Sequence, residues 1–258
     1  MKIRSFAAST GIVFVALSLV AHLASAAEIS VLAANGIQSV IEDLGPKFER
    51  ETGHKLSITF ATGGATIKRA QSGQADVVIA PQPGIEGLVK DGKVIAGNVT
   101  AVATTGISVA IRKGAPKPDI SSPDAFRRTV LAAKSITYLN PADGGASGIH
   151  FAKVLEQLGI ANEMKPKTIL AAKIDAVGAM LASGEAEIGV LQYQLLFEVP
   201  GIEIVGPLPG VLQNSTIFSA AVLNDAKETE ASKALITFMR SPQAQALIKA
   251  KGMEPAKP

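Results

Sequence analysis

Short apolar runs alternate with stretches of helical periodicity along most of the chain. Glu28-Ile-Ser-Val-Leu32 reads as a strand, and the residues after it space Ile37, Val40, Ile41, Leu44 and Phe48 three and four apart, on one face of a helix. Lys55-Leu-Ser-Ile-Thr-Phe60 is the next expected strand. A Gly63-Gly64 turn, a short helix reaching Gln71 and the apolar strand Ala75-Asp-Val-Val-Ile-Ala80 follow. Further strands are expected at 107–111, 135–139, 188–191, 203–205 and 218–223. Apolar runs separated by helices are the pattern of buried parallel strands joined by right-handed crossovers, so the fold class is α/β.

One segment echoes another. Ser72-Gly73-Gln-Ala-Asp76-Val-Val-Ile79 recurs as Ser183-Gly184-Glu-Ala-Glu187-Ile-Gly-Val190, each time with Gly closing a helix and the apolar run entering a sheet. Two related lobes are expected: residues 27–105 with 222–258, and residues 106–221. The chain then crosses between them near Thr104–Ser108 and returns around 215–221, so that Leu235, Phe238 and Met239 pack back on the first lobe. Pro116, Pro118 and Pro123 mark a surface connection rather than a boundary.

Residues 1–26 have another pattern. Lys2 and Arg4 precede the apolar run Gly11–Val20, which closes on Ala24-Ser25-Ala26, as in a secretory signal peptide. The run is shorter than the roughly 20 residues of a membrane span. Export to the periplasm is therefore expected, with the mature chain starting near Ala27 and functioning as a monomer. The chain has no Cys, which removes disulfides, thiolate metal sites and Cys nucleophiles.

Composition narrows the partners. Hydrophobic residues at 47% suffice for an ordinary core, while aromatic residues at 4%, with no Trp, argue against platforms for sugars or bases. Without Lys2 and Arg4, 23 basic residues face 22 acidic ones, so charge gives no reason to expect nucleic acid.

Candidate chemistry lies where strands join helices through small residues: Ala33-Ala-Asn-Gly36, Ala61-Thr-Gly-Gly-Ala65 and Asp143-Gly-Gly-Ala-Ser-Gly148. Helix N-termini present free N–H groups and the positive end of the helix dipole, and small residues admit an anion closely. Three such joints at the carboxyl ends of strands outline a shared crevice. Lys68 and Arg69, one turn into the second helix, would reach an anion only if turned inward. Tyr193 reads as a packed, hydrogen-bonded residue.

Ile29-Ser-Val-Leu-Ala-Ala34, Phe48-Glu-Arg-Glu-Thr-Gly53, Phe60-Ala-Thr-Gly-Gly64, Ala75-Asp-Val-Val-Ile79 and Ser241-Pro-Gln-Ala-Gln245 occur in the order found in the periplasmic molybdate-binding proteins of ABC transporters, which the chain resembles. The resemblance implies a type II periplasmic-binding fold, two lobes on a double-crossing hinge closing on an anion, and an ABC permease as partner. It also implies that the family's two loop serines fall on Gly36 and Gly63, and its pocket tyrosine on Gln192. The expected ligand-binding set is therefore Asn35, Gly36, Thr62, Gly63, Gly64, Ser147 and Gln192. Lost hydroxyls leave room for a larger organic anion, and a di- or tricarboxylate is expected in preference to molybdate.

Periplasmic aconitate isomerases resemble the same proteins, which makes allylic proton transfer on aconitate the alternative function. Its expected catalytic residues are His150, beside the Ser147-Gly148-Ile149 turn, and Gln192. His54 sits in a Thr52-Gly53-His54 turn away from these loops. No G-x-S-x-G, H-E-x-x-H or phosphate-loop pattern is present, and neither a metal nor a cofactor is expected.

Overall fold

The first apolar run forms strand β1 (Glu28–Ala34), and the periodic segment after it forms helix α1 (Gln38–Thr52), which buries Val40, Ile41, Leu44 and Phe48. Gly53, at φ 77°, ends α1 with its N–H on the Glu49 carbonyl, a left-handed cap that glycine adopts without strain. This computed structural model describes residues 26–73, 75–143 and 145–257, with the backbone alone at Ala96. The expected signal peptide lies outside the described residues, apart from Ala26.

The chain continues through β2 (Lys55–Ala61), α2 (Gly63–Gln71), β3 (Val77–Pro81), α3 (Gln82–Lys90) and β4 (Val99–Thr105). Next come β5 (Ile107–Arg112), α4 (Pro123–Ala132), β6 (Ile136–Leu139), α5 (Ala146–Gln157), α6 (Ala161–Met164), β7 (Thr168–Ala171), α7 (Ile174–Ser183), β8 (Ile188–Gln192), α8 (Tyr193–Leu196) and β9 (Ile202–Pro207). The last elements are β10 (Thr216–Val222), α9 (Thr229–Phe238), α10 (Pro242–Ala250) and β11 (Glu254–Pro255).

Two sheets result, in the orders β11-β4-β10-β3-β1-β2 and β7-β6-β8-β5-β9. Each contains three parallel strands, β2-β1-β3 in one and β7-β6-β8 in the other, followed by an antiparallel strand, β10 or β5, and a further one, β4 or β9. The parallel expectation thus holds for β1, β2, β3, β6 and β8 and gives way to antiparallel pairing in β5, β9 and β10, while β4, β7 and β11 are strands that the sequence pattern does not mark. The chain passes between the sheets at Gly106, between β4 and β5, and again between β9 and β10. The expected lobe boundary at 221/222 falls inside β10, which pairs with β3 and β4. The return crossing therefore precedes Thr216.

The echo in the sequence marks corresponding positions of this duplicated layout. Asp76 precedes β3 and its N–H donates to the Ser30 carbonyl at 2.9 Å and Oγ at 3.2 Å; Glu187 precedes β8 and its N–H donates to the Ser135 carbonyl at 3.3 Å and Oγ at 3.2 Å. Gly73 and Gly184 both take positive φ. Each sheet carries its own core. Phe48 and Phe218 lie in one, with Leu235 and Met239 from α9 and the residue that follows it, and Phe126 and Phe151 lie in another. Phe238 meets Phe48 edge-on at 5.5 Å.

Candidate functional site

A cavity of about 730 Å³ opens between the sheets at the carboxyl ends of the six parallel strands. The β1–α1 joint contributes Asn35 and Gly36, the β2–α2 joint Thr62 and Gly63, the β6–α5 joint Asn140, Asp143, Gly145, Ala146 and Ser147, and the β7–α7 joint Ala172, Lys173 and Ile174. Pro81 ends β3 and Gln192 ends β8, and both face the same space. Four strand-to-helix joints, two from each sheet, thus direct helix N-termini at one volume, which is the arrangement that stabilises an anion without a buried cation. The fourth joint has no Gly and no side-chain cap on α7, so the sequence carries no turn signal there.

The glycines of these joints differ in purpose. A Cβ at Gly36 would stand 2.6 Å from Phe218 Cζ and 3.1 Å from Gln192 Oε1, so the first loop is pressed against β10 and β8. At Gly63 it would meet only the Pro81 ring, Cδ at 3.3 Å and Cγ at 3.4 Å. At Gly148 it would overlap the Leu139 carbonyl oxygen, which makes that glycine a condition for seating α5 on β6. Close approach of α5 in turn carries Ser147 into the cavity wall.

Two side chains in this wall lack partners. Ser147 is 1% exposed and Gln192 5%, and neither the Ser147 Oγ nor the Gln192 Nε2 has a hydrogen bond among the described residues. A buried polar group left unpaired costs free energy, so donors placed here await a ligand or solvent acceptor. Thr62, by contrast, already caps α2, accepting from the Ala65 N–H at 3.4 Å.

Charge is distributed unevenly around the opening. Lys173, at the N-cap of α7, is exposed and has no ion-pair partner among the described residues. Lys251 Nζ lies 2.9 Å from Asp43 Oδ2. The hydrogen bond to Asp43 raises the Lys251 pKa above its ordinary value despite partial burial, and the fields of Asp43, Glu198 and Glu42 add to the rise. Glu42, Asp143, Asp175 and Glu198 also border the cavity.

Of the residues expected from sequence, Asn35, Gly36, Thr62, Gly63, Ser147 and Gln192 are brought together here, and Gly64 stands one position outside the lining. His150 is not at the cavity. Its Nε2 lies 2.8 Å from the Leu212 carbonyl oxygen, which accepts its proton, so the ring packs on the loop before β10. His54 Nδ1 accepts from the Ala27 N–H at 3.1 Å and the ring stacks on Phe48. Lys68 and Arg69 are exposed and outside the lining, and Tyr193 packs on Phe197. Gln194, Phe218, Lys173 and Lys251 are cavity residues that the sequence pattern does not single out.

The profile of the family described as bacterial extracellular solute-binding protein matches residues 29–254. An aconitate isomerase of Pseudomonas sp. is 35% identical over 236 residues, covering 88% of this chain and 87% of the relative. The molybdate-binding protein ModA of Azotobacter vinelandii is 28% identical over 255 residues, covering 96% and 98%. A solved periplasmic molybdate-binding protein of Azotobacter vinelandii superposes with a TM-score of 0.70 at 20% identity, over 89% of this chain and 99% of that one, and the fold is of the type II periplasmic-binding class. Among the described residues no helix is long and apolar enough to cross a membrane.

Proposed function

This chain belongs to the bacterial extracellular solute-binding protein family, and from that premise we propose that it captures a small organic di- or tricarboxylate in the periplasm, for delivery to an ABC-type permease. The observation that carries the reading is the pair of buried, unpartnered groups, Ser147 Oγ and Gln192 Nε2, in the wall of a cavity ringed by helix N-termini. A volume of about 730 Å³ exceeds what a tetrahedral oxyanion fills, and Leu139, Leu195 and Phe218 offer apolar contact to a carbon skeleton. Gly36, Gly63 and Gln192 occupy the positions where the resemblance puts the family's hydroxyl donors, which argues against molybdate. A thermal-shift screen of the mature protein against carboxylates, molybdate, tungstate and sulfate tests this. A ligand at 100 times its Kd raises stability by about 2.7 kcal/mol, and a response to molybdate alone would overturn the carboxylate reading.

The 35% identity with an aconitate isomerase favours a second reading on the same cleft. In that reaction a proton leaves the methylene carbon of aconitate, the double bond shifts by one position, and a proton returns to the former vinyl carbon. The base would be one of the bordering carboxylates, Glu42, Asp143, Asp175 or Glu198, since His150 lies elsewhere. Proton NMR of cis-aconitate with the protein in deuterated buffer separates the two readings: appearance of deuterated trans-aconitate supports the isomerase, and an unchanged spectrum with tight binding supports the receptor.

A further inference from the structure

We infer that Gln194 is a positioning residue that occupies the Gly36 carbonyl, so that this oxygen does not oppose a bound anion, and ties the first ligand loop to the interlobe crossing. The inference rests on anion capture in the cleft and gives a residue of the cavity wall a role through the backbone it holds. Gln194 is 7% exposed, two positions beyond Gln192. Its Nε2 donates to the Gly36 carbonyl at 2.7 Å, and its Oε1 accepts from the Thr105 hydroxyl. The amide orientation is settled by chemistry: a backbone carbonyl only accepts, so the group facing Gly36 is the NH₂, and Thr105 must donate to the oxygen.

Thr105 is the last residue of β4, immediately before the crossing at Gly106, whose carbonyl accepts from the Tyr193 N–H at 3.0 Å. The start of α8, the crossing and the first loop are therefore one hydrogen-bonded unit reaching from the second sheet to the first. Gly36 is held from behind as well, since Phe218 and Gln192 leave no room for a Cβ. An unoccupied carbonyl at this position would present partial negative charge to the anion that nearby N–H groups attract. Gln194 removes that conflict without adding a cation.

The test uses the full mature protein and two variants. Gln194→Met keeps the volume and loses both hydrogen bonds, while Gln194→Glu places a carboxylate against the Gly36 carbonyl. In the unliganded protein, Gln194→Met is expected to raise amide hydrogen exchange across residues 35–39 at least about tenfold while leaving β8 protected; unchanged exchange there overturns the inference. With trans-aconitate as probe, Gln194→Met lowers affinity about tenfold. Gln194→Glu lowers it further at pH 7 and recovers relative to the unaltered protein as the introduced carboxyl protonates and becomes a donor again. A deficit in Gln194→Glu that does not change with pH assigns Gln194 to packing alone and overturns the inference. If the unaltered protein binds neither trans-aconitate nor another carboxylate, the capture reading fails, and the exchange result by itself decides the role of Gln194.

Discussion

Ser30 donates twice to one oxygen of Asp76, from its backbone N–H at 2.8 Å and from its hydroxyl at 2.7 Å. The other oxygen accepts from the Lys227 and Glu228 N–H groups at 2.7 and 3.1 Å, so one carboxylate fastens β1, β3 and the entry to α9. Burial acts to raise the Asp76 pKa, but the hydrogen bonds from Ser30, Glu228 and Lys227 outweigh it and the net shift is downward.

Asp76→Asn should therefore cost about 1–3 kcal/mol of stability at neutral pH, because the amide cannot accept at both positions. A lowered folded pKa contributes stability that is complete above the unfolded carboxyl value of about 3.9 and is lost as pH falls through the folded value. Urea midpoints of the two proteins should thus converge in acid. A gap that stays constant from pH 7 to below 3.9 would refute the assignment.

Ser147→Ala and Gln192→Leu separate binding from stability. Each removes a buried donor that has no partner among the described residues, so the thermal midpoint should stay level or rise. Carboxylate affinity should fall about 10- to 100-fold for each, the value of a hydrogen bond to a charged group. Calorimetry and thermal melts on the same samples check both halves, and loss of stability without loss of affinity would remove these groups from the site.

Glycines in the joints should respond differently. Gly148→Ala drives a methyl group into the Leu139 carbonyl and should destabilise by about 3 kcal/mol. Gly63→Val meets only the edge of Pro81 and should keep the fold while obstructing ligand approach at α2. Gly36→Val should do both kinds of damage, since Phe218 Cζ stands where its Cβ would go. Circular dichroism melts and ligand titrations distinguish the three cases; equal behaviour of Gly63→Val and Gly148→Ala would contradict the geometry.

Five of the six parallel strands and three of the four anion-facing joints are legible because each has a local signal: an apolar run for the strand, then small residues before a helix. The Thr168–Ala171 strand has none, being four residues of mixed exposure that become a strand because β6 offers a parallel partner. Without that strand, Lys173 reads as one more surface lysine. The pressure of Phe218 on Gly36 and the bond from Gln194 to the same residue join positions far apart in the chain, and only the pairing of β10 with β3 and the crossing at Gly106 reveal them. His150 is the opposite case. It stands three residues from Ser147 on the same helix, yet its ring is hydrogen-bonded to the Leu212 carbonyl and lies outside the lining to which Ser147 belongs.

His150→Ala is accordingly expected to change carboxylate affinity by less than about twofold, since the ring's hydrogen bond goes to the Leu212 carbonyl and not to the cavity. Its cost should appear as stability, about 1 kcal/mol for one lost hydrogen bond. The same variant bears on chemistry. If the protein interconverts cis- and trans-aconitate, the rate should survive His150→Ala and fall with Glu42→Gln, Asp143→Asn, Asp175→Asn or Glu198→Gln, whichever side chain supplies the base. A receptor needs only convergent donors and two chain crossings that let the lobes close, so tight binding with no exchange of methylene protons is the result expected of the receptor reading. Solvent deuterium entering bound aconitate, measured by NMR, would reverse that expectation. Loss of that exchange in His150→Ala would show that the ring reaches the cleft in the working protein.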